Sequence, residues 1–375
     1  MEVKVMTRLC KPLKYILVLL LLLVLLAGGY LAYVLTVYYR IDDNLQLTPE
    51  ETALADGTCI TCKIDMPQVH TGRELTVTSW NIGFGAYTDQ YSFFMDGGEY
   101  ARGFSEEAVL ENTEIMAGKL AELRSSFYLI QEVDINSTRS YHINQKDIIT
   151  SALPGRNATF ALNYDSPYLF YPFTEPHGKS VAGLLTLSDF DIQSAVRRSL
   201  PVQEDFAKFL DLDRCYTVNR MKTDNGREFV LYNAHLSAYT TDPTIANQQL
   251  DMLYEDMAAE YAAGNYVVCG GDFNKDLLGD SGAIFGVDGG DYSWAQPLPV
   301  ENIPDGFSLA APFNPENPVP SCRNADRPWD PETNFQITID GFIVSDNVEV
   351  LESNVVDFQF AYSDHNPVQM TFKLK

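Results

Sequence analysis

Basic residues are scarce in this 375-residue chain: 26 Lys and Arg stand against 51 Asp and Glu, a net charge of −25. Tight non-specific binding to a nucleic-acid backbone draws on a basic stripe, and the sequence shows none. Cysteine is also sparse, six in all, which excludes a disulfide scaffold. Cys59 and Cys62 are spaced to bridge or to share a metal, without a second pair to complete a site. Cys215 and Cys322 are a candidate pair, and Cys269, inside an apolar run, reads as an inert core thiol. No internal repeat is present.

One long apolar run stands at the N-terminus. Residues 15–39 carry no charge and are rich in Leu and Val, long enough to span a bilayer, which takes about 20 apolar residues. Lys4, Arg8, Lys11 and Lys14 precede the run, placing the N-terminus in the cytoplasm and the remainder outside. The expected layout is a cytoplasmic N-terminus (1–14), a single transmembrane anchor (15–39), a polar stalk (40–73) and one folded domain (74–375). A cleaved signal peptide ending near Ala27-Gly28-Gly29 is the competing expectation, against which the length of the run counts. Removing residues 1–40 takes away five basic residues and one acid, leaving 21 basic and 50 acidic residues and a net charge of −29.

Beyond residue 74 the pattern alternates between strand and helix. LTVTSWNI and FYLIQEV read as strands, as do the stretches near 158–164, 181–187, 191–199, 214–221, 228–236 and 266–271, FQITIDGFIV and the last ten residues. Apolar positions Val109, Leu110, Ile115, Met116, Leu120 and Leu123 fit an amphipathic helix. Residues 243–262 read as another, opened by Pro243 and closed by Gly264. A Pro- and Gly-rich stretch from 286 to 332 is long for a structureless connection, which favours a functional role. The order predicts a layered α/β domain with two packed sheets and helices outside.

Polar residues cluster where apolar strands end. Asn81 closes TVTSWN, Glu132 closes YLIQE, His235 closes LYNAH, and Asp272 with Asn274 follows YVVCGG. Asp340 follows Ile337-Thr338-Ile339, and Asp364-His365 precede Asn366-Pro367. Singly, each has an ordinary explanation: a solvated strand edge, a core histidine, a turn. Together they supply carboxylates for a divalent ion, a group to position water and donors for phosphoryl oxygens, the inventory for phosphoester hydrolysis. Oxygen-rich ligation points to Mg²⁺ or Mn²⁺ over Zn²⁺.

The ordered series Asn81, Gln131-Glu132, Asn233-Ala234-His235, Gly271-Asp272-Phe273-Asn274, Ile339-Asp340 and Ser363-Asp364-His365-Asn366-Pro367 resembles the endonuclease/exonuclease/phosphatase superfamily. That family includes DNase I-like nucleases, neutral sphingomyelinases and inositol-polyphosphate phosphatases. The resemblance covers about residues 74–375 and implies a four-layer αββα sandwich with the site at one rim. By family role, Asn81 and Glu132 would bind the metal and Asp364 would support a second metal position. Asp272 would activate water, Asn274 would hold a phosphoryl oxygen, and Asp340 would orient His365. His365 would steady the phosphoryl group or serve in acid–base chemistry, and His235 would contact phosphate or assist the leaving group. Arg139, His142 and His177, the last in a loop with Lys179, are candidate substrate contacts on rim loops, with Arg214 and Arg323-Asn324 as further anion contacts.

The expected activity is metal-dependent phosphodiester hydrolysis, as by an endonuclease, on the outer side of the cell membrane. Alternatives are a sphingomyelinase-like or an inositol- or sugar-phosphate hydrolase, and a non-catalytic tethered binding domain on the same fold. The substrate would be nucleic acid, phospholipid or a small phosphate ester, and no obligate protein partner is expected. The run Tyr91-Ser92-Phe93-Phe94-Met95 could sit at the site mouth or pack against the domain.

Overall fold

A computed structural model describes residues 11–53, 67–203, 208, 212–238, 243–287, 294 and 296–375. It divides into two units, residues 1–40 and 41–375. The first is helix α1 (Lys11–Val37), long and apolar enough to cross a membrane. The second carries helices α2 (Glu106–Leu123), α3 (Gln145–Ala152), α4 (Pro243–Ala262) and α5 (Ser281–Phe285). Its first eight strands are β1 (Leu45–Leu47), β2 (Glu50–Glu51), β3 (Leu75–Asn81), β4 (Phe127–Asp134), β5 (Asn157–Asp165), β6 (Val181–Ser188), β7 (Ile192–Ser199) and β8 (Cys215–Lys222). The next eight are β9 (Glu228–His235), β10 (Tyr266–Asp272), β11 (Phe307–Ala310), β12 (Cys322–Arg323), β13 (Gln336–Ile337), β14 (Asp340–Ser345), β15 (Val348–Val355) and β16 (Val368–Leu374).

Among the described residues the strands form two seven-stranded sheets and one short hairpin, β12–β13. One sheet runs β1-β7-β8-β9-β10-β14-β11, the other β15-β16-β3-β4-β6-β5-β2. Each sheet is antiparallel except for one central pair: β9–β10 in the first and β3–β4 in the second. A parallel pair needs a long crossover, and α4 and α2 lie within these two crossovers. Ser105 starts α2 by accepting a hydrogen bond from the Ala108 N–H, with Glu106 and Glu107 in the first turn.

The apolar run in β4 shows why both faces of the sheet are covered. Leu129 joins Val77 against Leu231, Val268 and Phe342 of the opposite sheet. Its neighbour Ile130 points the other way and packs with Met116 and Leu120 of α2 and Ile149 of α3. Across the other sheet, Val230 and Val267 meet Leu250, Leu253 and Met257 of α4. Each fully buried aliphatic or Phe side chain contributes about 1.5–3 kcal/mol. The order helix, sheet, sheet, helices is the four-layer sandwich of the DNase I-like fold.

Several details differ from the sequence expectations. Part of the stretch expected as stalk is built into the sheets: β1 pairs with β7 at one edge and β2 with β5 at another. FQITIDGFIV is two strands rather than one, with β13 in the hairpin and β14 in the large sheet. Cys215, Cys269 and Cys322 are buried free thiols, so Cys215 and Cys322 do not pair. Cys10, Cys59 and Cys62 lie outside the described residues.

Candidate active site

Strand register assembles the site. In the first sheet Asp272 lies opposite His235 on one side and Asp340 on the other. In the second, Asn81 lies opposite Gln131, next to Glu132. Both parallel pairs therefore end at one rim, and their polar residues line a cavity of about 300 Å³.

Local backbone geometry aims these side chains. The pairing of β4 with β6 shifts register between Ile130 and Val133, and Glu132 inside this bulge has φ of 55°. A bulge of this kind redirects a side chain, and a left-handed non-glycine residue carries backbone strain. Asn274, after the turn of GGDFN, has φ of 49°. Gly271 has φ of 150°, and a Cβ there would sit 2.0 Å from the Ala234 carbonyl oxygen. Only glycine lets β9 and β10 approach so closely at this point.

Asp272 is the hub. Its Oδ1 accepts from the Asn274 backbone N–H at 2.9 Å, and its Oδ2 accepts from Asn81 Nδ2 at 3.1 Å. The same Oδ2 is 3.5 Å from His235 Nε2 and 3.9 Å from His365 Nε2. Burial pushes its carboxyl up to about 7; Asp340 adds to the rise, while His365, the Asn274 N–H and Asn81 oppose it.

His365 and Asp340 form a buried pair. His365 Nδ1 is 2.8 Å from Asp340 Oδ2, which also accepts from Ser321 Oγ at 2.7 Å. Burial alone would lower the basicity of His365, yet Asp340 raises it well above its ordinary value. The loop holding His365 is laced down on several sides. Trp80 Nε1 donates to the His365 carbonyl at 2.8 Å, Arg323 N to the Asp364 carbonyl at 2.9 Å, and Asn366 N to the Ser321 carbonyl at 2.7 Å.

His235 has a different partner. Arg214 Nη1 lies 2.6 Å from His235 Nε2. A guanidinium can only donate, so Nε2 accepts and the ring proton sits on Nδ1. Burial and Arg214, with His365 and Arg139 adding, hold His235 well below its ordinary pKa. The ring is thus neutral, with a buried Nδ1–H that has no hydrogen-bond partner among the described residues.

Glu132 and Asp364 both face the cavity. Glu132 Oε1 accepts from Asn81 Nδ2 at 3.2 Å, and Oε2 lies 4.0 Å from Arg139 Nη2. Burial, with Glu132 adding, pushes Asp364 up to about 6, against His365 and Arg323. Two oxygen donors that repel one another suit a hard divalent cation. Asp272, Asp340 and His365 also come within 4.8 Å of one another, but Asp340 Oδ2 and His365 Nδ1 are engaged with each other. A protonated imidazole is no metal ligand. Asn81 turns Oδ1, its only ligating atom, to the Gly83 N–H at 3.0 Å and bridges Glu132 and Asp272 through Nδ2.

A model of the endonuclease/exonuclease/phosphatase family matches residues 78–365 of the sequence. The chain belongs to that family. Its members hydrolyse phosphoesters and in general depend on a divalent metal, and this chain is a phosphoester hydrolase of the family. An endonuclease/exonuclease/phosphatase from Beutenbergia cavernae is 17% identical, with a TM-score of 0.52 over 80% of this chain and 72% of that one. Another from Bacteroides vulgatus is 15% identical, with a TM-score of 0.51 over 81% of this chain and 100% of that one. The 2′,3′-cyclic phosphatase ANGEL2 is 15% identical, with a TM-score of 0.51 over 88% of this chain and 98% of that one. These likenesses establish the family's fold. No curated relative matches the chain by sequence.

Of the residues expected from the sequence, Asn81, Glu132, His235, Asp272, Asn274, Asp364 and His365 line the cavity, and Asp340 stands directly behind His365. Asn274 Nδ2 donates to the Leu236 carbonyl at 2.9 Å. Arg139 and His177 also line the cavity. Arg139 makes two bonds to the buried Asp134, at 3.1 and 2.9 Å, and lies 4.1 Å from the Phe84 ring. His142 does not join them; it is exposed, with Nδ1 2.6 Å from Asn136 Oδ1. Lys179, in the same loop as His177, pairs with Asp165. Trp80 and Ser321 escaped the sequence reading because a lone Trp or Ser carries no pattern.

Proposed function

We propose that this chain is a membrane-tethered, divalent-metal-dependent phosphodiesterase in which Asp272 activates the attacking water. The position of Asp272 carries the reading: a buried carboxyl near neutral pKa, within 4 Å of both cavity histidines. A general base works best with a pKa near the operating pH.

Glu132 and Asp364 would hold Mg²⁺ or Mn²⁺, with Asn81 fixing Glu132 in place. The ion, when bound, would neutralise charge that builds on the phosphoryl oxygens. His365, kept protonated by Asp340, donates from Nε2 to a phosphoryl oxygen. His235 donates from Nδ1 and, being neutral, acts as a hydrogen-bond donor rather than a proton donor. One N–H of the Asn274 amide is engaged by Leu236, and the other is left for a phosphoryl oxygen. Helix α1 supplies the tether, with the catalytic domain on the extracytoplasmic side. At a net charge of −29 beyond residue 40, a duplex polyanion is the substrate least suited to this surface.

The test uses the full chain in detergent with bis-p-nitrophenyl phosphate. Activity should need Mg²⁺ or Mn²⁺, vanish with EDTA, and fall about 10²–10⁴-fold in Asp272→Asn, the usual contribution of a general base. Full activity in EDTA, or an Asp272→Asn variant at the wild-type rate, would remove the mechanism.

A further inference from the structure

Arg197, in β7, is a fully buried cation that the chemistry above leaves unused. Its guanidinium is spent on three separate segments of backbone. Nε donates to the Leu162 carbonyl of β5, across the gap between the sheets, at 2.7 Å. Nη1 donates to the Ile41 and Asp42 carbonyls at 3.3 and 3.2 Å. Nη2 donates to the Asp213 carbonyl at 2.8 Å and lies 3.5 Å from Asp213 Oδ2. Burying a guanidinium is costly unless its donors are met. Its rigid planar fork meets them only while all three segments keep their places.

The segment at 41–43 is tied to the same region by further bonds. The Ile41 N–H donates to Asp213 Oδ2 at 2.5 Å. Asp43 Oδ1 accepts from the Ser199 N–H at 2.8 Å and from Arg198 Nε at 3.0 Å. This segment lies before residue 78, where the likeness to the family begins. What the clamp holds is Arg214. The carbonyl just before Arg214 is the one that Arg197 grips, and the Arg214 carbonyl accepts from the Leu200 N–H at 2.9 Å. Arg214 is thus fixed on both sides of its Cα, with Nη1 2.6 Å from His235 Nε2.

We propose that residues 41–43, clamped by Arg197 and Asp213, are a positioning element of the active site: they keep Arg214 against His235 and so keep the His235 proton on Nδ1. The proposal rests on the reading of His235 as a neutral donor to the phosphoryl group. Which imidazole nitrogen carries the proton is set by the bond that the other one makes. Arg214 can only donate, so while it stands there Nε2 is the bare nitrogen. With Arg214 displaced, the ring is free to move its proton to Nε2, 3.5 Å from Asp272 Oδ2. The donor on Nδ1 is then lost. Catalytic side chains keep their geometry only when the groups behind them are themselves locked.

The experiment uses the full chain in detergent, labelled with ¹⁵N-histidine. Long-range proton–nitrogen spectra read the tautomer of each ring, and His235→Asn assigns the His235 signals. In the wild type His235 should appear as a neutral ring protonated on Nδ1. Arg197→Lys keeps the charge and loses the fork; Asp213→Ala loses the acceptor for Ile41. Both should shift His235 toward the Nε2–H form and leave His365 as it was. Both should lower kcat on bis-p-nitrophenyl phosphate about tenfold, the scale of one misplaced polar contact. Asp213→Asn, which keeps an acceptor oxygen, should restore the wild-type tautomer and rate. Should R197K fail to fold, the two Asp213 variants carry the test. Three results would overturn the proposal: a wild-type His235 protonated on Nε2, a lowered kcat with the His235 signals unmoved, or no change of either kind in D213A. A tautomer that responds as expected in a wild type that hydrolyses no diester would leave the clamp standing and defeat the phosphodiesterase reading instead.

Discussion

His177 shows how much of one residue's behaviour comes from its surroundings. Burial pushes its pKa down to about 3, with Arg139 and Arg102 adding and the bond to the Ala101 carbonyl opposing. In the unfolded chain it titrates near 6.5. Above that value both states are neutral there. Below it the unfolded chain binds a proton that the folded protein refuses, so stability is lost as pH falls from about 6.5 toward 3. Urea melts of wild type and His177→Gln at about pH 6 and about pH 5 should converge by roughly 1.4 kcal/mol per pH unit toward acid. Parallel losses in the two proteins would mean that His177 does not carry this titration. The sequence placed His177 among candidate contacts because a histidine in a loop is conspicuous. It gave no sign of the burial and the arginines that keep the ring neutral, nor of the carbonyl that works against them, since these depend on residues 101, 102 and 139. Arg214 was equally opaque: its role depends on standing next to Cys215, the residue that the pairing of β8 with β9 sets across from His235.

At the scale of elements, the strand ends were legible because each apolar run stops at a polar residue. The elements that were missed lack such contrast. Helix α3 is short and polar, β15 is exposed along much of its length, and β1 and β2 have three and two residues. The pairing of β9 with β10 is where an element and the chemistry depend on each other. Gly271→Ala would force a methyl group against the Ala234 carbonyl. The strands would have to part just where they hold His235 and Asp272. The expected cost is about 3 kcal/mol, typical of overpacking in a rigid place, read as a lower urea midpoint, together with a fall in kcat on a soluble diester. An unchanged midpoint would show that the strand pair yields easily.

For the whole molecule, charge is the dominant property. A basic nuclease loses affinity for polyanions as salt rises. This domain should do the reverse: raising salt from about 50 to about 200 mM should screen its repulsion and increase kcat/KM on a single-stranded oligonucleotide. A falling kcat/KM would reveal a basic track hidden from the net charge. The composition alone disclosed this trait, whereas the way the chain enters the sandwich required the coordinates. After Arg40 the backbone pairs first with β7 and then, a few residues later, with β5 of the opposite sheet. Mechanically, that segment is a buckle. Tension arriving from the N-terminal side would meet the pairing of β1 with β7 first and, beyond it, the pairing of β2 with β5 in the other sheet. If the chain is moored through α1 as proposed, two edge pairings in succession stand between that load and the catalytic rim.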